Sequence, residues 1–126
     1  MKFIVLIYTD PKLLASVPKP EFNETMRGCL AYADELQRDG TLLQSAMLED
    51  TRTARSFRVR KGKKTVVDGP FAETKEVLGG FNIIEAPDME AAMRIAEEFP
   101  WSETGAIEVR PIREWAAVRQ AVGFTA

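Results

Sequence analysis

The segment that most restricts the fold is the first one, because the six residues Phe3 to Tyr8, FIVLIY, are all apolar or aromatic. Successive side chains of a β-strand point to opposite faces, so an unbroken apolar run predicts a central strand covered on both sides. The run is much shorter than the ~20 residues that a membrane-spanning helix needs. Asp10 and Pro11 end it, and we expect no signal peptide and no membrane segment.

Two segments of helical periodicity follow this strand. Apolar side chains recur at helical intervals over residues 21–38, and an Asp-Gly pair closes that amphipathic helix. Residues 88–99 repeat the pattern, with Asp88 as N-cap and a proline after the last apolar residue. Residues 11–20 hold three of the seven prolines, so we predict a loop there.

The remaining strands complete a recognisable order. Residues 41–48, 81–86 and 106–109 each read as a strand, and residues 56–67 read as a β-hairpin with a Lys-Gly-Lys turn. The order β-α-β, hairpin, β-α-β is an α+β fold, the ferredoxin-like split βαβ with an inserted β-hairpin. Two helices cover only one face of such a sheet, while the first strand is apolar on both. We therefore predict a homodimer whose sheets pack face to face.

Composition excludes several kinds of chemistry. The 126 residues fit one domain, and a net charge of −2 gives no overall field that attracts nucleic acid. The chain has no histidine, which removes a Ser-His-Asp triad, a Cys-His pair and histidine-ligated metals. Its one cysteine, Cys29, suits a reducing cytoplasm and lies on the apolar side of the first helix as an inert core residue. No motif indicates a metal, nucleotide or flavin, so we expect no cofactor.

One basic cluster stands apart from this balanced composition. Seven lysines and arginines fall within residues 52–64 with no acidic residue among them. Such a cluster can contact phosphates. Its only aromatic residue is Phe57, which the strand alternation places inward, and no nucleic-acid motif accompanies it. A solvated hairpin face, or a surface for an acidic partner, is the favoured interpretation, and no nucleic-acid partner is expected.

The densest turn signal is DGPFAETKEVLGG, at residues 68–80. Its Asp-Gly-Pro start predicts a change of direction, after which Phe71 returns the chain to apolar surface. Residues 72–78 are predicted to form about two helical turns, which the glycine pair ends. A carboxylate in a rigid turn can face a pocket, which makes Asp68 a candidate general base. The alternative is a turn aspartate that accepts hydrogen bonds from nearby backbone amides.

Five other residues are candidates for the same pocket. Tyr8 ends the first strand and can donate its hydroxyl to a substrate oxygen, or be a core residue with a solvated tip. Glu73 and Lys75 can bind substrate or pair with each other. Arg110 can hold a substrate carboxylate or pair with Glu108. The candidate catalytic residues are Asp68 and Tyr8, and the candidate substrate-binding residues are Glu73, Lys75, Arg110 and Phe71.

Three blocks of sequence, in order along the chain, carry a resemblance to a known family. They are KFIVLIY at 2–8, VVDGPFAETKEVLGGFNIIEAPDMEAA at 66–92 and GAIEVRPI at 105–112. The chain resembles the YCII-related family in its DGPF-type branch. The resemblance spans residues 1–112, which we take as one domain. Residues 113–126 are then a C-terminal extension, predicted to be a short helix packed on the domain or on a dimer partner.

The resemblance implies a dimeric α/β barrel built from ferredoxin-like subunits. That superfamily includes cofactor-independent isomerases, lyases and oxygenases that act on small, often aromatic-derived molecules. In the YCII branch a histidine and an aspartate have been suggested as a catalytic pair, and one relative removes chloride from a chlorinated muconate-type acid. This chain lacks the histidine, so only the Asp68 position carries over.

The sequence leaves two functions open. One is a cofactor-independent enzyme with lyase- or isomerase-like acid–base chemistry on a small anionic molecule. The other is a non-catalytic ligand-binding or regulatory module, whose basic hairpin and Trp115 tail dock a protein. The resemblance favours the second function, because DGPF-type proteins are often encoded beside sigma-factor genes, which points to signalling.

Overall fold

Four antiparallel strands form the main sheet of the computed structural model, which describes residues 1–125. The elements are β1 (Lys2–Thr9), α1 (Pro11–Ala15), α2 (Lys19–Arg38), β2 (Leu42–Met47), β3 (Arg55–Arg60), β4 (Lys63–Asp68), β5 (Val77–Glu85), α3 (Met89–Glu97), β6 (Gly105–Pro111) and α4 (Trp115–Ala121). The sheet order is β2-β5-β1-β6, and β3 pairs with β4 in a separate hairpin. This order confirms the ferredoxin-like split βαβ with an inserted hairpin. Within residues 1–125 the sheet stays open and forms no closed barrel.

The core lies on one face of the sheet, beneath α2 and α3. Phe3 and Val5 of the central strand point to that face and are fully buried there. The two helices are joined across the core, because the Tyr32 hydroxyl donates to the Ile95 carbonyl oxygen at 2.8 Å. The Tyr32 ring also meets Phe99 edge-on, with ring centroids 5.0 Å apart. Phe99 is fully buried, and removal of its ring from water stabilises the fold.

The other face of the sheet carries neither α2 nor α3. Ile4 and Leu6 of β1 pair there with Ile83 and Phe81 of β5, and all four side chains are half-buried. The interpretation of β1 as a central strand with two apolar faces is therefore confirmed. Cover by a second subunit stays a prediction.

The interpretation of residues 11–20 as a loop is wrong, because α1 forms within them and α2 begins before Pro20. Asp10 explains the first helix: one of its carboxylate oxygens accepts from the backbone N–H groups of Lys12 and Leu13. These donors have no intrahelical partner, so an aspartate N-cap stabilises the first turn. Pro20 fits α2 because a proline in the first turn removes no helical hydrogen bond.

The helix predicted over residues 72–78 is also wrong. Residues 71–76 are irregular, and β5 begins at Val77, which pairs with Thr9 of β1. The short segment has no apolar stripe with which a helix could pack. Pairing with the central strand supplies hydrogen bonds and burial, and this long-range gain outweighs a weak local preference.

Gly79 and Gly80 allow β5 to lie close to its neighbouring strands β1 and β2. A Cβ atom on Gly79 would lie 2.9 Å from the Thr9 Oγ1, and one on Gly80 would lie 2.7 Å from the Ala46 carbonyl oxygen. The pairing of β1 with β5 shifts by one residue at this level. Glycine inside a strand is typical of such bulges and close contacts.

The hairpin of β3 and β4 lies apart from the core. The prediction that Phe57 faces inward is wrong for the chain as described, because its side chain is 68% exposed. Val59 and Val66, on the same side, are also exposed. Their alternation is that of a half-buried strand, but β3 and β4 form a sheet of their own.

Residues 113–126 contain the helix α4, although Ala126 lies outside the described residues. Trp115 is 75% exposed and no residue of α4 is fully buried. Packing of this helix on a partner stays a prediction, as does the domain boundary at residue 112. Among residues 1–125, no helix has the length and apolar character to cross a membrane.

Candidate functional site

An open cleft of about 630 Å³ lies where β1 ends and the chain turns into α1. Three parts of the fold meet there: the end of β1, the start of β6 and the segment that leads into β5. Its lining residues are Tyr8, Asp10, Thr74, Lys75, Glu76, Ala106, Ile107 and Glu108. The cleft therefore carries charged groups, three carboxylates and one ammonium group.

Asp10 is the unusual member of this set, because a charged side chain is only 2% exposed. Its Oδ1 accepts from the α1 backbone, and its own N–H donates to the Thr104 carbonyl oxygen at 2.9 Å. Its Oδ2 lies 3.9 Å from the Lys75 Nζ, which is too long for a hydrogen bond. Within residues 1–125, Oδ2 has no closer polar partner. One oxygen is thus held rigidly while the other is free to meet a ligand.

Tyr8 lies between this cleft and a second groove of about 580 Å³. The second groove runs past residues 48–54 to Pro70 and Ala72. The irregular segment after β4 therefore forms a wall beside the Tyr8 side chain. The Thr74 hydroxyl donates to the Glu76 carbonyl oxygen and fixes the end of that wall.

Asp68 stands elsewhere, at the end of β4 with its side chain 85% exposed. Its carboxylate accepts from the Arg55 Nε at 3.2 Å. The turn that follows is firmly held: the Gly69 N–H donates to the Ala54 carbonyl oxygen at 2.7 Å, and the Ser56 hydroxyl donates to the Gly69 carbonyl oxygen. Gly69 has a φ of +90°, which explains the glycine of the motif. Catalysis by Asp68 stays a prediction.

Three further candidate residues from the sequence also lie outside the cleft. Phe71 lies beneath the Arg58 guanidinium, 4.0 Å from ring centroid to Cζ, in a cation–π contact. Arg110 pairs with Glu108 at 2.6 Å, and Glu73 is exposed. The structure brings Tyr8 and Lys75 together at the cleft, but not Asp68, Phe71, Glu73 or Arg110.

The sequence interpretation missed Asp10, which it treated only as the end of the first strand. A usable signal was present, because Asp followed directly by Pro is a helix start with an N-cap and a proline in the first turn. Nothing in the sequence shows that the same carboxylate is buried. That burial involves the start of β6 and the residue before it, since Thr104 and Ile107 come from a distant part of the chain.

Two members of the basic cluster are neutralised by neighbouring carboxylates. Arg52 donates to Asp50 through its Nε at 3.1 Å, and Arg55 pairs with Asp68. The side-chain hydrogen bond from Arg52, assisted by its backbone N–H, lowers the pKa of Asp50 below its ordinary value. Because its pKa is lowered, Asp50 is ionised at neutral pH. This carboxylate lines the second groove.

Comparisons with known proteins agree with this architecture. The model of the YCII-related domain matches residues 1–116, which confirms the resemblance seen in the three blocks. An uncharacterised protein of Rhizobium meliloti (strain 1021) is 35% identical over 114 residues, covering 89% of this chain and 92% of that protein.

A solved structure with a similar fold is that of 5-chloro-2-hydroxyhydroquinone dehydrochlorinase (TftG) from Burkholderia phenoliruptrix AC1100, in complex with 2,5-dihydroxybenzoquinone. The TM-score is 0.51 at 16% identity, and the match covers 90% of this chain and 95% of that chain. At this identity the likeness is one of fold.

Proposed function

The chain belongs to the YCII-related family, and we propose that it binds a small hydroxylated molecule in the cleft beside Tyr8 and acts on it by acid–base chemistry without a cofactor. The observation that carries the proposal is Asp10, a carboxylate that is 2% exposed and whose Oδ2 at the cleft accepts no hydrogen bond. A ligand that donates to Oδ2 adds a hydrogen bond to a charged group, which contributes affinity.

The charges of the cleft favour a ligand that donates protons. Three carboxylates line the cleft, of which Glu108 is paired with Arg110 and Asp10 lies near Lys75. A hydroxyl group can donate to the Asp10 Oδ2, whereas a bare carboxylate has no proton to donate. The fold neighbour is a dehydrochlorinase named for a ring of this type, a chlorinated hydroxyhydroquinone.

The residues suggest one proton transfer. The ligand hydroxyl gives its proton to the Asp10 Oδ2, which becomes a carboxylic acid, and the ligand oxygen becomes an anion. The Lys75 Nζ, which lies 3.9 Å from the Asp10 Oδ2, then stabilises the new negative charge on the ligand oxygen. The Tyr8 hydroxyl donates a further hydrogen bond to the ligand, as the sequence interpretation proposed. Low solvent access at Asp10 strengthens each of these interactions.

A thermal-shift titration with hydroquinone, kept reduced by ascorbate, tests the proposal. Binding raises the free energy of unfolding by RT ln(1 + [L]/Kd), about 2.7 kcal/mol at 100 times Kd. We expect Asp10→Asn to weaken binding tenfold or more while it keeps the helix cap, because asparagine caps as well as aspartate. 1,4-Dimethoxybenzene, the same ring without hydroxyl protons, should bind no more tightly to the wild type than to Asp10→Asn.

The matched protein control is Asp68→Asn, which changes an exposed carboxylate outside the cleft. We expect it to bind hydroquinone like the wild type. If Asp68→Asn loses binding and Asp10→Asn keeps it, the functional site belongs at the turn after β4. Equal binding by all three proteins would remove both carboxylates from the function.

We further propose that a second copy of the chain covers the open face of the sheet. The support is the half-buried apolar patch formed by Ile4, Leu6, Phe81 and Ile83. Sedimentation equilibrium should give twice the chain mass of 14.1 kDa. Leu6→Glu should convert the dimer to a monomer, whereas Met47→Glu, at a site 76% exposed outside that patch, should not. A monomeric wild type would contradict the proposal.

A regulatory module is the second candidate function, favoured by α4. Trp115 is 75% and Val122 is 73% exposed, an uncommon position for large apolar side chains. Truncation of the chain after residue 112 distinguishes the two candidate functions. An enzyme of the kind proposed keeps hydroquinone binding, whereas a module that signals through α4 loses its protein partner.

A further inference from the structure

A narrow crevice of about 170 Å³ lies on the helix-covered side of the sheet, between α2 and the strands. Phe22, Met26 and Leu30 of α2 form one wall, and Phe99 and Trp101 close the far end. Phe99 is 1% exposed, which places it at the floor, whereas Leu30 is 57% exposed and lies at the mouth. The crevice shares no lining residue with the cleft at Tyr8.

One polar side chain at the bottom of the crevice lacks a full set of partners. Asn82 of β5 is 4% exposed, and its Oδ1 accepts from the Ser45 hydroxyl at 2.6 Å. Within residues 1–125 its Nδ2 has no hydrogen-bond partner. In residues 1–125, every side-chain nitrogen or oxygen that is shielded from solvent has a hydrogen-bond partner, so an atom without one must be accessible. The Nδ2 atom therefore reaches the free space of the crevice, with two N–H donors to offer.

The aromatic wall beside Asn82 is held in place. The Trp101 Nε1 donates to the Cys29 Sγ at 3.3 Å. The Trp101 ring also contacts Phe22, with ring centroids 5.9 Å apart. The donor that an indole must satisfy is thus used within the wall, so the ring presents apolar surface to the crevice. Cys29 has a role beyond packing, because it fixes this ring.

We propose that the crevice is a second ligand site, which takes an uncharged single-ring aromatic molecule with one hydrogen-bond acceptor. The size is right, since an apolar cavity of about 150 Å³ holds benzene. The charge is right, since none of the lining residues is Asp, Glu, Lys or Arg. The acceptor, a carbonyl or ether oxygen, receives the Asn82 Nδ2–H. Burial makes that bond the orienting contact for the ring.

Two-dimensional ¹H–¹⁵N NMR with two matched ligands tests the proposal. Acetophenone carries a carbonyl acceptor, and cumene has nearly the same shape without one. We expect acetophenone to shift the signals of the Trp101 indole and the Asn82 side-chain amide in a saturable way. One added hydrogen bond should make acetophenone bind about 3- to 10-fold more tightly than cumene. A Trp115→Phe background leaves Trp101 as the only indole signal.

Variants then locate the site. Asn82→Leu should bind the two ligands equally, and Ala33→Leu, which fills the crevice from α2, should bind neither. Asp10→Asn should bind acetophenone like the wild type, which separates this inference from the proposed function. Equal affinity of the two ligands for the wild type, or shifts confined to other residues, would overturn the proposal. The comparison of acetophenone with cumene uses the wild-type protein. It therefore decides the test even if one of the variants fails to fold.

Discussion

The substitution Gly105→Ala tests most sharply how the end of β1 is built. Gly105 opens β6 opposite Thr9, and a Cβ atom on it would lie 1.9 Å from the Tyr8 carbonyl oxygen. Further contacts of 2.8 and 2.9 Å would follow with the Tyr8 carbonyl carbon and the Thr9 Cα. All of these atoms belong to the backbone, so no side chain can turn aside. The two strands must move apart by about 1 Å or more at this point.

The cost follows from what that movement breaks. Overpacking costs about 1–3 kcal/mol. Separation also strains the hydrogen bond from the Asp10 N–H to the Thr104 carbonyl oxygen, 2.9 Å long, which contributes about 0.5–1.5 kcal/mol. Alanine also stabilises the protein by about 0.4–1 kcal/mol, because it restricts the conformations of the unfolded chain more than glycine does. The net expectation is a loss of about 0.5–4 kcal/mol in the free energy of unfolding, centred near about 2 kcal/mol. A chain of this length has a total of roughly 6–19 kcal/mol.

Urea unfolding measures this loss as a lower midpoint with an unchanged slope. Gly28→Ala is the matched control, because Gly28 lies inside α2 and a Cβ atom there would meet nothing within 4 Å. In a helix that change should stabilise the chain by about 0.5–1 kcal/mol. The reasoning is refuted if Gly105→Ala unfolds within about 0.5 kcal/mol of the wild type.

Two further predictions concern ionisable groups. Burial, and then the nearby carboxylates, raises the pKa of Tyr32 above its ordinary 10.0, so its contribution to stability is complete below about pH 10 and falls as the pH rises through the raised pKa. The urea midpoint of Tyr32→Phe should therefore decline less steeply above pH 10 than that of the wild type; parallel curves would contradict this. Asp68→Asn should lower the free energy of unfolding by less than about 1 kcal/mol, because its partner Arg55 is exposed as well. A larger loss in the same urea assay would mean that Asp68 holds the turn.

The parts of the fold that follow from local physics were predictable. The central position of β1 follows from its unbroken apolar run, and α3 begins where Asp88 accepts from the Ala91 N–H at 2.8 Å. The hairpin follows from its turn, in which Lys61 and Gly62 both have positive φ. Each of these features depends on residues close together in sequence.

The features that depend on distant residues were not predictable. Val77 and Leu78 read as the end of a helix until β1 is placed beside them, and only then does pairing make them a strand. Asp10 reads as a strand terminator until β6 buries it. Asp68 has the stronger local signal, yet the pairing of β3 with β4 places it beside Arg55 and in solvent.

The central claim is that Asp10, and not Asp68, meets the ligand. The most direct measurement is ¹³C NMR of the aspartate side-chain carboxyl groups during titration with hydroquinone, with single substitutions to assign the signals. The account predicts a saturable shift of the Asp10 signal and an unchanged Asp68 signal. A shift at Asp68 alone, or no shift at either carboxyl group, would contradict it.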